Sequence, residues 1–272
     1  MNSRLASVLQ TVALPHPTPA EVGERAAWAE AHDTSIDPWK NRVIHGDCLE
    51  VLRHFPAESV DFVLTDPPYI TRYQDRTGRR IANDDNTRWL FPAFAELYRV
   101  LKPNTYCVSF YGWGKAERFL SAWRECGFHA VGHFVWVKRY ASGVRHVQAK
   151  HEQAYLLAKG EPPYPTRPPP DVLPWTYTGN RLHPTQKPVS SLTPLIEAFS
   201  KPSGVVLDCF AGSGTTGVAA RLCRRQFILI EKEADHYRTA AERLKHQPYY
   251  YPPQLPNGHT VPVSVPENNP KR

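Results

Sequence analysis

The stretch Val60 to Tyr69, V-D-F-V-L-T-D-P-P-Y, decides the fold. Its first half is a short apolar run, and Asp66-Pro67-Pro68 ends that run abruptly, which is typical of a buried parallel strand followed by a rigid turn. Because each proline fixes φ and lacks an N–H donor, the carbonyl groups of the turn are held in place and can accept hydrogen bonds. Together with the Asp66 carboxylate and the Tyr69 ring, this turn predicts a site for a planar heterocycle that carries an amino group, at the sheet edge where open α/β proteins bind ligands.

Length and composition limit the class of protein. The chain has 272 residues, of which 41% are hydrophobic and 11% aromatic, enough for one large α/β domain with insertions or for two small domains. A formal net charge of +7 favours a polyanionic partner. None of the five cysteines forms a C-x-x-C pair, which argues against a thiol redox motif or a zinc ribbon, and no metal site is predicted. The sequence shows neither a signal-like segment nor a long apolar run, so we expect a cytoplasmic protein without membrane contact.

The segments around this stretch alternate between strand and helix patterns. This order predicts a parallel sheet that includes one hairpin. We expect residues 1–40 to form an N-terminal extension, residues 41–246 to form the α/β domain, and residues 247–272 to form a proline-rich C-terminal tail. The predicted strands are 41–45, 60–65, 105–110, 128–138, 152–158, 205–208 and 226–231, and the main predicted helices are 48–54, 89–101, 115–124, 188–199 and 234–244.

Two segments depart from these patterns. Residues 70–88 carry five arginines and few apolar side chains, and residues 138–186 combine a basic link with a proline-rich run. A long loop inside a compact domain is usually functional or disordered, and arginines beside a predicted site suggest contact with phosphates or base edges. A solvated surface loop is the alternative interpretation. The candidate contact residues are Arg72, Arg76, Arg79, Arg80, Arg139 and Arg145.

A second stretch, Val205 to Gly217, V-V-L-D-C-F-A-G-S-G-T-T-G, predicts a strand, a glycine turn and a helix. Its glycines match G-x-G-x-x-G and Glu231 ends the next strand, so an NAD-dependent oxidoreductase is one alternative. Asp208 argues against NAD, because a carboxylate just before the glycines would repel a pyrophosphate and attract an ammonium or sulfonium group. Only one helix follows the Glu231 strand, which leaves no ordinary place for the second half of a dinucleotide. The pattern therefore favours S-adenosylmethionine, a nucleoside with an amino-acid tail and a positive sulfur.

Taken together, these stretches resemble the amino-group DNA methyltransferases. The resemblance rests on Asp66 to Tyr69, on Asp208 to Gly214, and on His183 to Pro188, H-P-T-Q-K-P. The catalytic motif precedes the cofactor motif, which is similar to the β class of that family, and the likeness runs from about residue 43 to residue 244. It implies a Rossmann-like α/β fold with a seven-stranded, mostly parallel sheet, one antiparallel strand and circularly rearranged motifs. Cys209 departs from the family's usual proline.

The resemblance also implies a role for each motif residue. It places the first strand beside the strand that ends at Glu231. Catalysis is expected from Asp66, Pro67, Pro68 and Tyr69. The residues expected to bind S-adenosylmethionine are Asp47 near the adenine, Glu231 at the ribose, Asp208 with Phe210, Ala211, Gly212 and Gly214 around the methionine part, and Thr185 and Lys187 near the carboxylate end. Lys187 is alternatively an exposed loop lysine.

The implied reaction is methyl transfer from S-adenosylmethionine to adenine N6 in duplex DNA after the base is flipped out. Hydrogen bonds from the amino group to Asp66 and to the Pro67 carbonyl would localise its lone pair, and Tyr69 would stack on the base. Residues 70–88 and 138–186 would contact the target, and the small recognition region favours a homodimer.

Other functions stay open at this point. Cytosine N4 is the alternative base, although enzymes of the family that act on it commonly carry serine at the Asp66 position. A DNA-binding protein that kept the fold and lost catalysis is a further alternative. A cytosine-C5 enzyme is excluded, because none of the five cysteines follows a proline as the nucleophile of that family does.

Overall fold

The computed structural model describes residues 35–71, 83–144, 146–179, 182 and 185–245. Most of the predicted N-terminal extension and all of the predicted C-terminal tail lie outside these residues. No helix in the described part is long and apolar enough to cross a membrane. The described elements are β1 (Arg42–His45), α1 (Cys48–Leu52), β2 (Val60–Thr65), α2 (Leu90–Val100), β3 (Leu101–Phe110), α3 (Ala116–Glu125), β4 (His129–Val137), β5 (His151–Lys159), β6 (Val172–Pro174), α4 (Val189–Phe199), β7 (Val205–Asp208), α5 (Thr215–Leu222), β8 (Gln226–Glu231) and α6 (Ala234–Lys245).

In the described part of the chain, eight strands form one sheet in the order β1-β8-β7-β2-β3-β5-β4-β6. Of these eight, β5 is the one reversed strand, since it pairs antiparallel with β3 and β4 and the other pairs are parallel. The predicted mostly parallel sheet, its single reversed strand and the position of β1 beside β8 are confirmed. The sequence pattern does not predict β6, because a three-residue strand in a proline-rich segment has no detectable period. It lies at the sheet edge, where proline is tolerated.

Strand β3 begins four residues earlier than the sequence pattern predicts. Leu101 follows α2 directly and pairs with Val60, after which the register shifts so that Phe62 lies opposite Tyr106. Pro103 falls in this irregular part, where a missing N–H donor is tolerated. The proline therefore follows the end of the helix at Val100 without preventing a strand.

Helices cover both faces of the sheet, and β2 contributes to both layers. Val63 belongs to a buried cluster with Leu52 of α1 and Phe94 of α2. Phe62 points to the opposite face and clusters with Leu195 of α4. Burial on both faces explains why β2 is a continuous apolar run and does not alternate between apolar and polar residues.

The parallel strands bring four acidic residues to one edge of the sheet. Asp208 and Glu231 end β7 and β8, while Asp47 and Asp66 closely follow β1 and β2. Because β1, β8, β7 and β2 are parallel neighbours, their carboxyl ends meet at the same edge. The fold thus gathers carboxylates that are far apart in the sequence.

Candidate active site at the carboxyl edge of the sheet

A pocket at this edge collects most of the residues predicted to form the site. Its walls come from the ends of β1, β2, β7 and β8 and from the segment before α4. The proline turn and the glycine turn therefore face one cavity. The predicted residues that line it are Asp47, Asp66, Pro67, Pro68, Tyr69, Thr185, Lys187, Asp208, Phe210, Ala211, Gly212 and Glu231.

Asp208 is buried at the start of the glycine turn and accepts hydrogen bonds from its surroundings. Its Oδ1 accepts from Thr65 Oγ1 at 2.9 Å and from the Phe210 N–H at 3.1 Å, and its Oδ2 accepts from Thr216 Oγ1 at 2.6 Å. Burial raises the pKa of Asp208 to about 6, because desolvation outweighs these hydrogen bonds. Asp208 therefore shapes the turn and also presents to the pocket a carboxylate that is charged at neutral pH.

Glu231 ties the glycine turn to the end of β8. Its Oε2 accepts from the Gly212 N–H at 2.7 Å, and its Oε1 accepts from the Glu233 N–H at 2.8 Å. Gly212 has a φ of 51°, in the left-handed region that favours glycine. Burial raises the pKa of Glu231, although both backbone hydrogen bonds oppose the rise. Each carboxylate oxygen keeps a lone pair that can accept from a ligand hydroxyl.

Asp47 lies beside Glu231 at the end of the neighbouring strand. Its Oδ1 accepts from the Leu49 N–H at 2.9 Å, which caps α1, and its Oδ2 pairs with Lys232 Nζ at 3.0 Å. The side chain is 34% exposed. Asp47 is therefore held at the mouth of the pocket by contacts that join α1 to the end of β8.

Gly214 has a packing role in addition to the cofactor-binding role predicted for it, which stays a prediction. This glycine precedes α5 with a φ of 76°, and an added Cβ would lie 3.0 Å from Ala240 Cβ. Gly214 is not one of the described residues that line the pocket. Its packing role is to make the turn and to let α6 approach closely.

Gly214→Ala is expected to lower the free energy of unfolding by roughly 2 kcal/mol, because left-handed strain adds to the contact with Ala240. Thermal melts followed by circular dichroism measure the effect. Gly143→Ala is the matched control, since an added Cβ there meets nothing within 4 Å. A Gly214→Ala protein with the same melting temperature as the wild type would contradict this role.

Asp66 lies at the centre of a largely buried group of charged and aromatic side chains. Its Oδ1 accepts from the Tyr69 hydroxyl at 2.9 Å, and its Oδ2 pairs with Lys187 Nζ at 2.5 Å. Oε2 of Glu152 lies 3.3 Å from the Tyr69 hydroxyl and 3.9 Å from Lys187 Nζ. The ammonium group of Lys138 binds Oε1 of Glu152. These five side chains are called the Asp66 cluster below.

The Asp66 cluster decides one alternative and adds two residues. Lys187 is buried and pairs with Asp66, so it is not an exposed loop lysine, while its contact with the carboxylate end of the cofactor stays a prediction. Glu152 and Lys138 carry no motif signal. Only the sheet register, with Glu152 of β5 opposite Trp136 of β4, could have suggested their position.

Burial and the two lysines set the charges in the Asp66 cluster. Desolvation raises the pKa of Asp66, although Lys187 opposes the rise. Burial also acts to raise the pKa of Glu152, but Lys187 and Lys138 outweigh it, so this pKa is lowered. Burial, with both carboxylates, raises the pKa of Tyr69 well above its usual value. Asp66 is thus the carboxylate of the cluster that takes up a proton more readily.

One of the six predicted DNA-contacting arginines falls in the described part of the chain. Arg139 follows β4 and is exposed. The neighbouring Lys138 Nζ lies 5.8 Å from the ring centroid of Tyr140 and 5.2 Å from that of Trp175, which joins this segment to the one after β6. The other five predicted arginines lie outside the described residues: Arg72, Arg76, Arg79, Arg80 and Arg145.

Comparison with known proteins identifies relatives along most of the chain. The sequence model of the N6/N4 DNA methylase family matches this chain over residues 60–171 and 167–242. The YubD protein of Escherichia coli (strain K12) is 52% identical over 204 residues, which span 75% of this chain and 90% of YubD. The DNA adenine methyltransferase YhdJ of the same strain is 31% identical over 257 residues, which span 78% of this chain and 85% of YhdJ.

Solved structures share the fold. The M1.HpyAVI–SAM complex matches with a TM-score of 0.61 at 27% identity, over 75% of this chain and 98% of that chain. The cytosine-N4-specific PvuII DNA methyltransferase matches with a TM-score of 0.63 at 23% identity, over 75% of this chain and 86% of that chain, and shows the fold alone. The predicted methyltransferase fold and S-adenosylmethionine as cofactor are confirmed, which decides between the two interpretations of the glycine turn. The chain belongs to the N6/N4 family of S-adenosylmethionine-dependent DNA methylases.

Proposed function

We propose that this protein transfers a methyl group from S-adenosylmethionine to N6 of adenine in duplex DNA. The observation that carries the proposal is the position of Asp66, a carboxylate held by Tyr69 and Lys187 in the wall of the pocket that also contains Asp208 and Glu231. Adenine is supported by aspartate at the first position of the catalytic motif and by the 31% identity to YhdJ, a DNA adenine methyltransferase.

The polar groups of the pocket fit S-adenosylmethionine. The buried Asp208 suits an ammonium group, and the turn from Phe210 to Gly212 leaves room beside it for the amino-acid part. Glu231 suits ribose hydroxyls, and Asp47 lies next to it for the adenine end, while Thr185 lines the same cavity. When bound, S-adenosylmethionine supplies a methyl group that is attached to a positively charged sulfur.

The proline turn acts on the amino group of the target base. The lone pair of an exocyclic amine is delocalised into the ring, so the amine is a poor nucleophile. Asp66 and the Pro67 carbonyl accept its N–H hydrogen bonds, which localises the lone pair and fixes its direction. As the amine nitrogen gains the methyl group, the bond from that methyl group to sulfur would break with its electron pair left on sulfur. Asp66 would take the proton that the amine loses, and the rise in the pKa of Asp66 caused by burial suits that role. Tyr69 stacks on the flipped base.

A tritiated methyl transfer assay on duplex DNA, followed by nucleoside analysis, tests the proposal. The expected product is N6-methyladenine. N4-methylcytosine as the sole product would overturn the choice of base and leave the reaction class intact. A wild-type protein that binds DNA but transfers no methyl group would instead favour a DNA-binding protein that has lost catalysis.

Arg139→Ala is expected to weaken binding to duplex DNA about fivefold and to reduce the slope of log affinity against log salt by about one, as for the loss of one phosphate contact. Fluorescence anisotropy at several salt concentrations measures both quantities. The control is Arg238→Ala, which removes a 70% exposed arginine on α6. S-adenosylmethionine affinity should stay unchanged in both variants. An equal loss of DNA and cofactor binding in Arg139→Ala would indicate misfolding and contradict the assignment.

A further inference from the structure

Lys187 occupies a place in the Asp66 cluster that cofactor binding does not explain. Its side chain is 7% exposed, and its Nζ lies 2.5 Å from Asp66 Oδ2. The same nitrogen is 5.3 Å from the ring centroid of Tyr69 and 4.8 Å from that of Phe110. A cationic N–H donor therefore contacts the catalytic carboxylate between two aromatic rings.

The target base and Lys187 need the same contacts. In the proposed function, the exocyclic amine donates an N–H to Asp66 while its ring stacks on Tyr69. An ammonium group and an exocyclic amine are both N–H donors, so they compete for the Asp66 carboxylate. Before the base arrives, the positive charge of Lys187 opposes the rise in the pKa of Asp66. It thereby keeps the Asp66 carboxylate ionised and ready to accept a hydrogen bond.

Glu152 offers Lys187 a second carboxylate inside the same cluster. Its Oε2 is 3.9 Å from Lys187 Nζ, and Lys138 binds its other oxygen. The Tyr69 hydroxyl already lies within reach of both carboxylates, at 2.9 Å from Asp66 and 3.3 Å from Glu152. A buried cation that loses its partner is strongly unfavourable, so a nearby second partner is what allows Lys187 to leave Asp66.

We propose that Lys187 exchanges carboxylate partners, pairing with Asp66 until the amino group of the target base arrives and with Glu152 while that amine is bound. Glu152 is then a positioning residue, since it acts on Asp66 through Lys187. The inference rests on the proposed function and adds the residues that control how readily the base reaches Asp66.

Three variants test the exchange by steady-state methyl transfer at pH 8, with unmethylated genomic DNA as substrate. Lys187→Met removes the competing cation and keeps the apolar stem, whereas Glu152→Gln removes the charge of the second partner. Lys102→Met is the control, because Lys102 pairs with Asp61 outside the pocket lining. We expect the KM for DNA to fall about threefold in Lys187→Met, to rise about tenfold in Glu152→Gln, and to stay unchanged in the control.

The acid limb of the pH profile of kcat/KM gives a second readout. The ionisable groups that face Asp66 are Lys187, Glu152, Tyr69 and Asp208. Loss of the Lys187 charge raises the pKa of Asp66, so activity is lost at a higher pH as the solution is acidified. Loss of the Glu152 charge lowers the pKa of Asp66, so activity persists to a lower pH. Opposite shifts in the two variants are expected.

Two results would overturn the exchange. If the KM for DNA does not fall in Lys187→Met or does not rise in Glu152→Gln, Lys187 is a fixed structural partner of Asp66. If the two acid limbs move in one direction, the ionisation of Asp66 does not set the acid limb, and the exchange at Asp66 cannot control access of the base. Failure of the proposed function itself has a different signature, since the wild-type protein would then transfer no methyl group to DNA.

Discussion

The Asp66→Asn protein is expected to transfer methyl groups about 10³-fold more slowly than the wild type while it binds S-adenosylmethionine with unchanged affinity. An amide keeps one acceptor oxygen but replaces the other with an NH2 donor, which cannot accept the amine proton. That donor would also face either the Tyr69 hydroxyl or the Lys187 ammonium group, both of which donate to Asp66. The substitution therefore removes acceptor function from the site of the reaction and leaves Asp208 and Glu231 in place.

Single-turnover transfer of tritiated methyl groups with enzyme in excess measures the rate, and calorimetry measures cofactor affinity. Asp37→Asn is the matched control, because it removes a carboxylate that is 72% exposed and pairs with Lys40. The control should react at the wild-type rate. A rate for Asp66→Asn within tenfold of the wild type would show that another group accepts the amine hydrogens.

Asp208→Asn is expected to weaken S-adenosylmethionine binding about 100-fold and, at the same time, to stabilise the folded protein above pH 6. The loss of affinity follows because an amide carries no charge to attract the ammonium group. The gain in stability follows from the pKa of Asp208, which burial raises from 3.8 to about 6. Between these two pH values, the folded wild type holds a proton that the unfolded chain has released, so its stability falls as the pH rises through about 6.

The asparagine variant lacks this ionisation, so its stability relative to the wild type should increase from pH 4 to pH 6 and then level off, by on the order of 3 kcal/mol. Scanning calorimetry at pH 4, 5, 6 and 8 checks the stability, and titration calorimetry checks cofactor binding. Asp37→Asn should show no such pH-dependent difference. A variant that is less stable than the wild type at pH 8 would mean that the hydrogen bonds from Thr65 and Thr216 outweigh desolvation.

The sheet and the two motif turns could be predicted from the sequence because local signals specify them. The apolar run of β2 stops at prolines, and the β7 strand stops at glycines, so both ends were identifiable. The resemblance to the amino-group DNA methyltransferases then placed β1 beside β8. The same resemblance implied that Asp66 and Asp208 belong to one site.

The rest of the Asp66 cluster could not be predicted, because it depends on register between distant segments. Glu152 lies in H-E-Q-A-Y-L-L-A-K, which is an ordinary strand pattern, and its position beside Tyr69 follows only from the pairing of β5 with β3 and β4. Lys187 belongs to a recognised motif, yet the motif does not say which carboxylate it meets. Gly214 also belongs to a recognised motif, but the motif does not indicate that α6 packs so closely that an added Cβ would meet Ala240.

The pairing of β1 with β8 has a consequence for biosynthesis. Asn41 and Phe227 are hydrogen-bonded although they lie 186 residues apart, so the first strand of the sheet emerges from the ribosome long before its only described neighbour. A nascent chain that has been translated through β5 already has Asp66 and Glu152, but it lacks the glycine turn and Glu231. The methyl donor can therefore bind only after β8 has been synthesised, and until then β1 is an unpaired edge that chaperones or neighbouring chains can contact.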